Sequence, residues 1–539
     1  MKVTRRKFLS TSAAAVGAAT VLPADASAQS YSAPASPHAA HGTNVWPYTP
    51  VPVKIHIDAA QPVRMMKGGV GASFHVISRE LPSRKPGGGD SWSGSEWGGN
   101  PDPSDTRHWN DLFRHAEWLG MDWCRVELEQ RVYEPGKRQF SWDNSEMQVL
   151  YLVLDWAQRR GVDVFLTQMW ANVAWNSFPE NATDPVRTLR SGPKDLNEWA
   201  FGLGEFIQHL VKTKGYSCIK WVCVCNEPEQ DSFSWWQDGD MKAMPITPGL
   251  KAAREEFDRR GISVPLSGPD WPYLPPFDAA KAVFDPYVGA YDFHSYDAVF
   301  DSISQTSSLA EAERRLEGWA KFVHAKDKAL FLSELGTMGY GWGNDDEAPA
   351  CYQSGLKNAS LIVRGINAGV DGFNRWSFTN RGDLDGQWQL VRTWDIDKNA
   401  LLEDFTPQPN AYYQYAMLTR FFPKHSGVLA TNVDAPFRQK DRKVVATALR
   451  SPKGHLTVVV VNENYHLVEA GISFDGLSKP VTLHRYALAK DAEDKVHVEI
   501  RPELSFQVSD SLTDKIPPMS IVVYSTYALN HEDAGMVNE

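Results

Sequence analysis

Between about residues 65 and 380, short apolar runs alternate with stretches whose apolar positions recur at helical spacing. The runs at 69–75, 121–128, 162–168, 218–225, 263–268, 291–294, 329–334 and 372–376 predict strands. The stretches at 105–119, 145–160, 196–214, 250–260, 309–325 and 355–368 predict helices. Eight strands, most of them followed by a helix, predict a (β/α)8 TIM barrel rather than an open sheet. After about residue 415 the helical period fades. Short runs at 444–449, 456–461, 472–474, 481–487, 496–500 and 521–524, separated by turn residues, predict a C-terminal β-sandwich. The alternating segment Val53-Lys54-Ile55-His56-Ile57 has no partner within a barrel and is expected to join that sandwich. The expected organisation is a linker and N-terminal strand at 29–62, a barrel at 63–415, a sandwich at 416–527 and a tail at 528–539.

Composition narrows the field. Of 539 residues 42% are hydrophobic, which is enough apolar surface to exclude disorder over most of the length. The formal charge of -11 comes without a basic stripe beyond the extreme N-terminus, which argues against nucleic acid as a partner. No glycine-rich phosphate fingerprint opens a predicted helix, which counts against a nucleotide cofactor. The start of the chain reads Thr4-Arg5-Arg6-Lys7-Phe8-Leu9-Ser10, then an apolar run to Leu22, then Ala26-Ser27-Ala28. That run is shorter than the ~20 apolar residues a membrane anchor needs. Residues 1–28 resemble a bacterial twin-arginine export signal, which implies a periplasmic or extracellular protein with no membrane attachment after cleavage. The signal carries four basic side chains and one acidic one, so residues 29–539 carry -14. Nothing in the sequence sets an oligomeric state. The five cysteines, Cys124, Cys218, Cys223, Cys225 and Cys351, are odd in number and irregularly spaced. They are expected to be buried, unreactive thiols rather than a disulfide framework or a metal site. Cys223 and Cys225 are expected on one face of a strand.

Candidate chemistry falls where a barrel places it, at the C-terminal ends of its strands. The fourth strand runs Trp221-Val-Cys-Val-Cys and delivers Asn226-Glu227-Pro228 to the rim. The seventh runs Leu330-Phe-Leu-Ser and delivers Glu334. Two facing carboxylates can cleave a glycosidic bond, one protonating the leaving oxygen and the other bonding to the anomeric carbon. No metal or organic cofactor is needed for that cleavage.

Asn226-Glu227-Pro228 and Ser333-Glu334-Leu-Gly336 resemble the strand-four and strand-seven motifs of the retaining glycoside hydrolases of clan A. Arg125 late in strand two, His294-Ser295-Tyr296 ending strand six and Trp376 ending strand eight agree with the same pattern. The early strand, the Gly69-Val-Gly-Ala-Ser-Phe segment and the trailing sandwich are similar to families 30 and 39 of that clan, over about residues 53–527. The resemblance implies Glu227 as acid/base and Glu334 as nucleophile, the latter kept anionic by Arg125 and the Tyr296 hydroxyl. It implies Asn226 on the hydroxyl next to the anomeric carbon, with Arg125, His294, Tyr296 and Trp376 around the bound sugar. Gln168-Met-Trp170 ends strand three where many clan members carry a histidine. Gln168 and Trp170 are therefore expected substrate contacts, and Trp170 and Trp376 the stacking platforms. Arg375, Arg381, Asp383 and Asp385 after strand eight are expected to form a solvated loop. The carbohydrate partner, on this resemblance, is a plant or microbial glycan or glycoside, with exo action expected from long loops after strands one, five and eight. A transglycosylase sharing the covalent intermediate and an inactive carbohydrate-binding barrel are the alternatives. The resemblance does not choose among glucosides, xylosides and arabinosides.

Overall fold

The computed structural model describes residues 49–76, 100–168, 170–172, 174–178, 191–228, 235, 244–296, 309–336, 351–379, 388–395, 398, 400–436 and 444–536. The export-signal segment, most of the linker, the glycine-rich stretch of sequence at 85–99, Arg381, Asp383 and Asp385 lie outside these residues.

Strand β1 (Val51–Asp58) precedes eight barrel strands: β2 (Val70–His75), β3 (Trp123–Leu128), β4 (Asp163–Gln168), β5 (Ile219–Cys223), β6 (Leu266–Ser267), β7 (Ala290–Ser295), β8 (Ala329–Leu335) and β9 (Gly372–Arg375). Each of the eight pairs in parallel with the next, and β9 pairs back onto β2 through Phe373↔Val70, so the barrel closes. Helices Thr106–Trp118, Ser145–Arg160, Leu196–Gln208, Ile246–Arg260, Leu309–His324 and Tyr352–Ala368 lie between the strands in sequence. Their starts follow from the chain: Asp105, Asn144 and Asp195 each accept a hydrogen bond from a first-turn backbone N–H. Gly161 and Gly261 end two helices in the left-handed conformation that glycine adopts without strain.

Alternation along the strands divides the barrel. Trp123, Phe165, Cys223, Ala290, Ala329 and Phe331 form one buried cluster, with Trp221 packed against it. This cluster plugs the N-terminal half of the interior and leaves the C-terminal half to polar side chains. Gly71 is required there, because a Cβ at that position would stand 1.7 Å from the Trp123 carbonyl oxygen. Strand β6 is two residues long where the sequence predicts six, since Pro265 and Pro269 flank it and neither can donate to a ladder.

The second unit is a mostly antiparallel ten-stranded sheet. Strand β1 sits inside it, antiparallel to Gly427–Asp434 and parallel to Val468–Asp475. Val53, Ile55 and Ile57 share a core with Ala446, Val458, Ile472, Leu483, Val508, Ile516 and Tyr524, so strands from both ends of the sheet fold over one interior. The predicted strand at 496–500 does not form. Its polar groups are spent on side chains instead: the Val496 carbonyl accepts from Tyr413 Oη, and the Ile500 N–H donates to His531 Nδ1. Strands Leu504–Val508 and Ser511–Ile516 lie beyond it, and the pattern does not announce the first because it is a largely exposed edge. The hairpin of Val391–Asp395 with Ala400–Pro407 and the helix Tyr412–Thr419 are likewise unforeseen. Helix Tyr352–Ala368 joins the two units, with Tyr352 Oη donating to Met519 O and Asn367 bonded to Ala446 O and Thr447 Oγ1. No helix among the described residues is long and apolar enough to cross a membrane.

Candidate active site

Residues 125 and 127 of β3 both face into the barrel, as does Thr167 of β4, which stands opposite Glu127. Arg125 occupies the centre without solvent contact. Its Nη1 lies 2.5 Å from Glu334 Oε2 and 2.8 Å from Glu127 Oε1. Nη2 donates to Asn226 Oδ1 at 2.9 Å and Nε to Thr167 Oγ1 at 3.0 Å. Burial works against the Arg125 cation, but Glu127, Glu334 and Asp270 outweigh it and raise its pKa above the ordinary arginine value.

Glu334 reaches the interior through an irregularity. Phe293 pairs with Leu332 but His294 pairs with Glu334, so Ser333 is an extra residue in β8. The bulge resets the alternation, and both Ser333 and Glu334 turn inward. Glu227 follows β5 with a φ of 48° and meets the ring of His294 from β7, Oε1 to Nδ1 at 2.7 Å. The same Nδ1 lies 3.5 Å from Glu334 Oε2. One oxygen of Glu227, one of Glu334 and a ring nitrogen of His294 all fall within 4.8 Å of one another, and all three side chains are buried. Tyr296 and Trp376 pack with Trp388 in a small aromatic cluster.

The structure thus brings together Glu227, Glu334, Arg125, Asn226 and His294, with Tyr296 and Trp376 joined to each other and Trp376 edge-on to His75. Gln168 is different. It is one residue past the inward-facing Thr167, and its Oε1 accepts from Tyr133 Oη on the outer side of the strand. Trp170 is buried beyond the strand end, its carbonyl accepting from the Gln130 N–H. Arg375 is fully buried in β9 rather than on a solvated loop, and burial pushes its pKa down to about 10.

Charge at Glu334 also departs from expectation. Burial raises its carboxyl above the ordinary range, His294 and Arg125 pull it back, and Glu227 and Glu127 add to the rise. Arg125 therefore does not by itself hold Glu334 low. His294 goes the other way: burial opposes its charge, but Asp270 and Glu334 keep its pKa well above that of a free imidazole.

The residue that sequence reasoning missed is Asp270. Its Oδ2 accepts the Glu227 backbone N–H at 2.9 Å, and its Oδ1 lies 3.1 Å from His294 Nε2 and 3.2 Å from Ser333 Oγ. Glu127 and His75, 2.7 Å apart, also went unread. Glu127 could have been found, since it stands two residues from Arg125 on the same strand face.

Among the described residues two triads have the donor chemistry for a cation, Glu227–His294–Glu334 and Cys223–Asp270–Asp292. In the first, a guanidinium and an imidazole already sit against the carboxylates. In the second, burial and then Asp270 push the Asp292 carboxyl up to about 7, and burial raises the Cys223 thiol well above its usual range, so both favour their protonated forms. Neither triad is assigned as a metal centre. All five thiols are free, four of them buried. Cys223 faces the barrel interior while Cys225, beyond the strand end, packs in the outer core, so the two do not share a face.

The closed barrel with its appended sheet is similar in fold to solved glycoside hydrolases, family 30 enzymes among them. The catalytic domain of a family 30 xylanase C from Talaromyces cellulolyticus superposes with a TM-score of 0.57 at 15% identity, covering 88% of this chain and 99% of that one. A family 30 endoxylanase from Clostridium papyrosolvens gives 0.55 at 13% identity, over 88% and 99% of the two chains. An α-L-arabinofuranosidase from Thermotoga maritima gives 0.54 at 14%, over 88% and 100%. Neither a protein-family model nor a curated protein sequence matches the chain.

Proposed function

We propose that the protein is a retaining glycosidase that cleaves O-glycosidic bonds by double displacement. The observation that carries this reading is the approach of Glu227 and Glu334, whose oxygens lie within 4.8 Å across a buried, arginine-centred site. Retaining enzymes hold their carboxyl groups about 5–5.5 Å apart, whereas inverting enzymes leave roughly 6.5–9.5 Å for a water. Glu227 protonates the departing glycosidic oxygen as Glu334 bonds to the anomeric carbon. Water then attacks that carbon, giving its proton to Glu227 and releasing Glu334. Arg125 fixes Asn226 through its Oδ1, which turns the amide NH2 end away from the guanidinium and toward a sugar hydroxyl. Trp376 and Tyr296 offer the aromatic wall. The solved enzymes of similar fold act on xylan and arabinofuranosides, which places pentosides beside glucosides among the first substrates to try. Exo action on a plant or microbial glycoside, after twin-arginine export, completes the reading.

Release of nitrophenol from a panel of aryl glycosides, wild type beside Glu334→Ala, tests it. Turnover of one glycoside, reduced in the variant by at least about 10³-fold, is expected. Equal rates in both proteins would remove Glu334 as nucleophile. A folded wild type that binds oligosaccharides but turns over neither the panel nor those oligosaccharides would make this a binding barrel.

A further inference from the structure

Glu227 is not a lone carboxylic acid, because an imidazole ring is hydrogen-bonded to it. His294 presents both ring nitrogens to carboxylates: Nδ1 lies 2.7 Å from Glu227 Oε1 and Nε2 lies 3.1 Å from Asp270 Oδ1. A neutral imidazole has one N–H and can donate to only one of them. Either the ring is an imidazolium, or Glu227 carries a proton and donates it to Nδ1. Asp270 decides what the other nitrogen does. Its carboxylate takes hydrogen bonds from the Glu227 N–H, Ser333 Oγ–H and His294 Nε2, with Arg125 Nη2 at 3.9 Å, and the Asp292 carboxyl and Cys223 thiol that also stand within 4.8 Å are both pushed toward their protonated forms by burial. Its own backbone N–H is held by Asp292 Oδ1 at 2.6 Å. The groups facing His294 are thus Glu227 after β5, Asp270 after β6, Asp292 on its own strand and Glu334 on β8, with Arg125 and Glu127 of β3 behind them.

We propose that Asp270 is a positioning residue that fixes His294 with Nε2–H and thereby keeps one further proton shared between His294 Nδ1 and Glu227. This rests on the assignment of Glu227 as acid/base and deepens it. In the first half-reaction the shared proton passes from Glu227 to the leaving oxygen as the C–O bond breaks. In the second, the proton removed from water returns to the same pair. Asp270 stays ionised throughout, held below the ordinary carboxylate range by His294 and Arg125 against the opposing effect of burial. It also sets where Glu227 sits, since it grips that residue's backbone N–H and the Ser333 hydroxyl beside Glu334.

The proton can be observed without turnover. In protein labelled with 15N-histidine, the ring signals of His294 are assigned by their loss in His294→Gln. The expected result is that both His294 nitrogens stay protonated, or Nε2 protonated and Nδ1 bonded to a Glu227 proton, to above pH 7. Asp270→Asn should move that titration down by at least about one pH unit. The basic limb of kcat/KM should fall with it, a shift that mere loss of structure would not produce. A wild-type His294 bearing its single proton on Nδ1 at pH 6.5 overturns the proposal, as does an unmoved titration in a folded Asp270→Asn variant. Should that variant not fold, the wild-type tautomer still decides. Should no glycoside be turned over, the functional reading falls while the spectra still settle the pair.

Discussion

Arg125 Nη1 lies 2.5 Å from Glu334 Oε2, and both side chains are buried in the barrel. The same guanidinium answers Glu127 and stands 3.9 Å from Asp270, so one cation balances three buried carboxylates. Removing it should cost far more than a surface charge. Arg125→Met is expected to destabilise the fold by about 3–5 kcal/mol, read from denaturant midpoints. Arg125→Lys should recover only part, because a point charge cannot serve Glu334, Asn226 and Thr167 in three directions. A lysine variant as stable and active as wild type would refute the fork-like role.

Glu227 as proton donor makes its removal depend on the leaving group. Glu227→Gln should slow hydrolysis of glycosides with poor leaving groups by at least about 10²-fold. Dinitrophenyl glycosides, which depart without a proton, should be spared most of that loss in the first step. A uniform loss across leaving groups would contradict the assignment.

Beneath the barrel, burial pushes the Asp122 carboxyl up to about 7, although one of its oxygens accepts the Lys424 N–H at 2.7 Å. A carboxyl that keeps its proton in the folded chain and loses it in the unfolded chain stabilises fully below the unfolded value of 3.8. That contribution drains away as pH rises toward 7, at up to about 1.4 kcal/mol per unit. Asp122→Asn should therefore gain on wild type in melting temperature between pH 4 and pH 7. A constant difference across that window would show that Asp122 does not titrate there.

Four of the five thiols are buried, and burial raises those of Cys124, Cys218 and Cys223. A thiolate is what reacts, so the native protein should titrate at most one thiol, Cys351, with a disulfide reagent. Five should react after unfolding, and the melting temperature should be indifferent to reductant.

The two carboxylates were legible because each follows an uninterrupted apolar run, which is how a barrel strand carries a residue to the rim. Asp270 was not, because the strand before it is only Leu266–Ser267 and the prolines hide its end. Strict alternation from the inward-facing Phe331 would have placed Glu334 outward, and it turns inward only because Ser333 is an extra residue. Gln168 fails for the complementary reason: no bulge intervenes in β4, so strict alternation from Thr167 turns it away from the interior. In the sheet, Val496 and Ile500 carry a strand's alternation, yet their backbone groups bond to Tyr413 and His531 across the junction. Pattern alone reports which face is apolar, and it is silent on what the backbone pairs with.

Strand β1 is made early and completed late. Its two neighbours in the sheet begin at Gly427 and Val468, about 370 and 410 residues further along. During synthesis it must wait with both hydrogen-bonding edges open while the whole barrel is assembled. Lys54, His56 and Asp58, exposed at every second position, give that waiting ribbon a charged face that discourages pairing with strangers. A chain stalled before residue 427 has no partner to offer it, so unfinished molecules carry an unfilled strand at their front, a ready mark for proteases and chaperones.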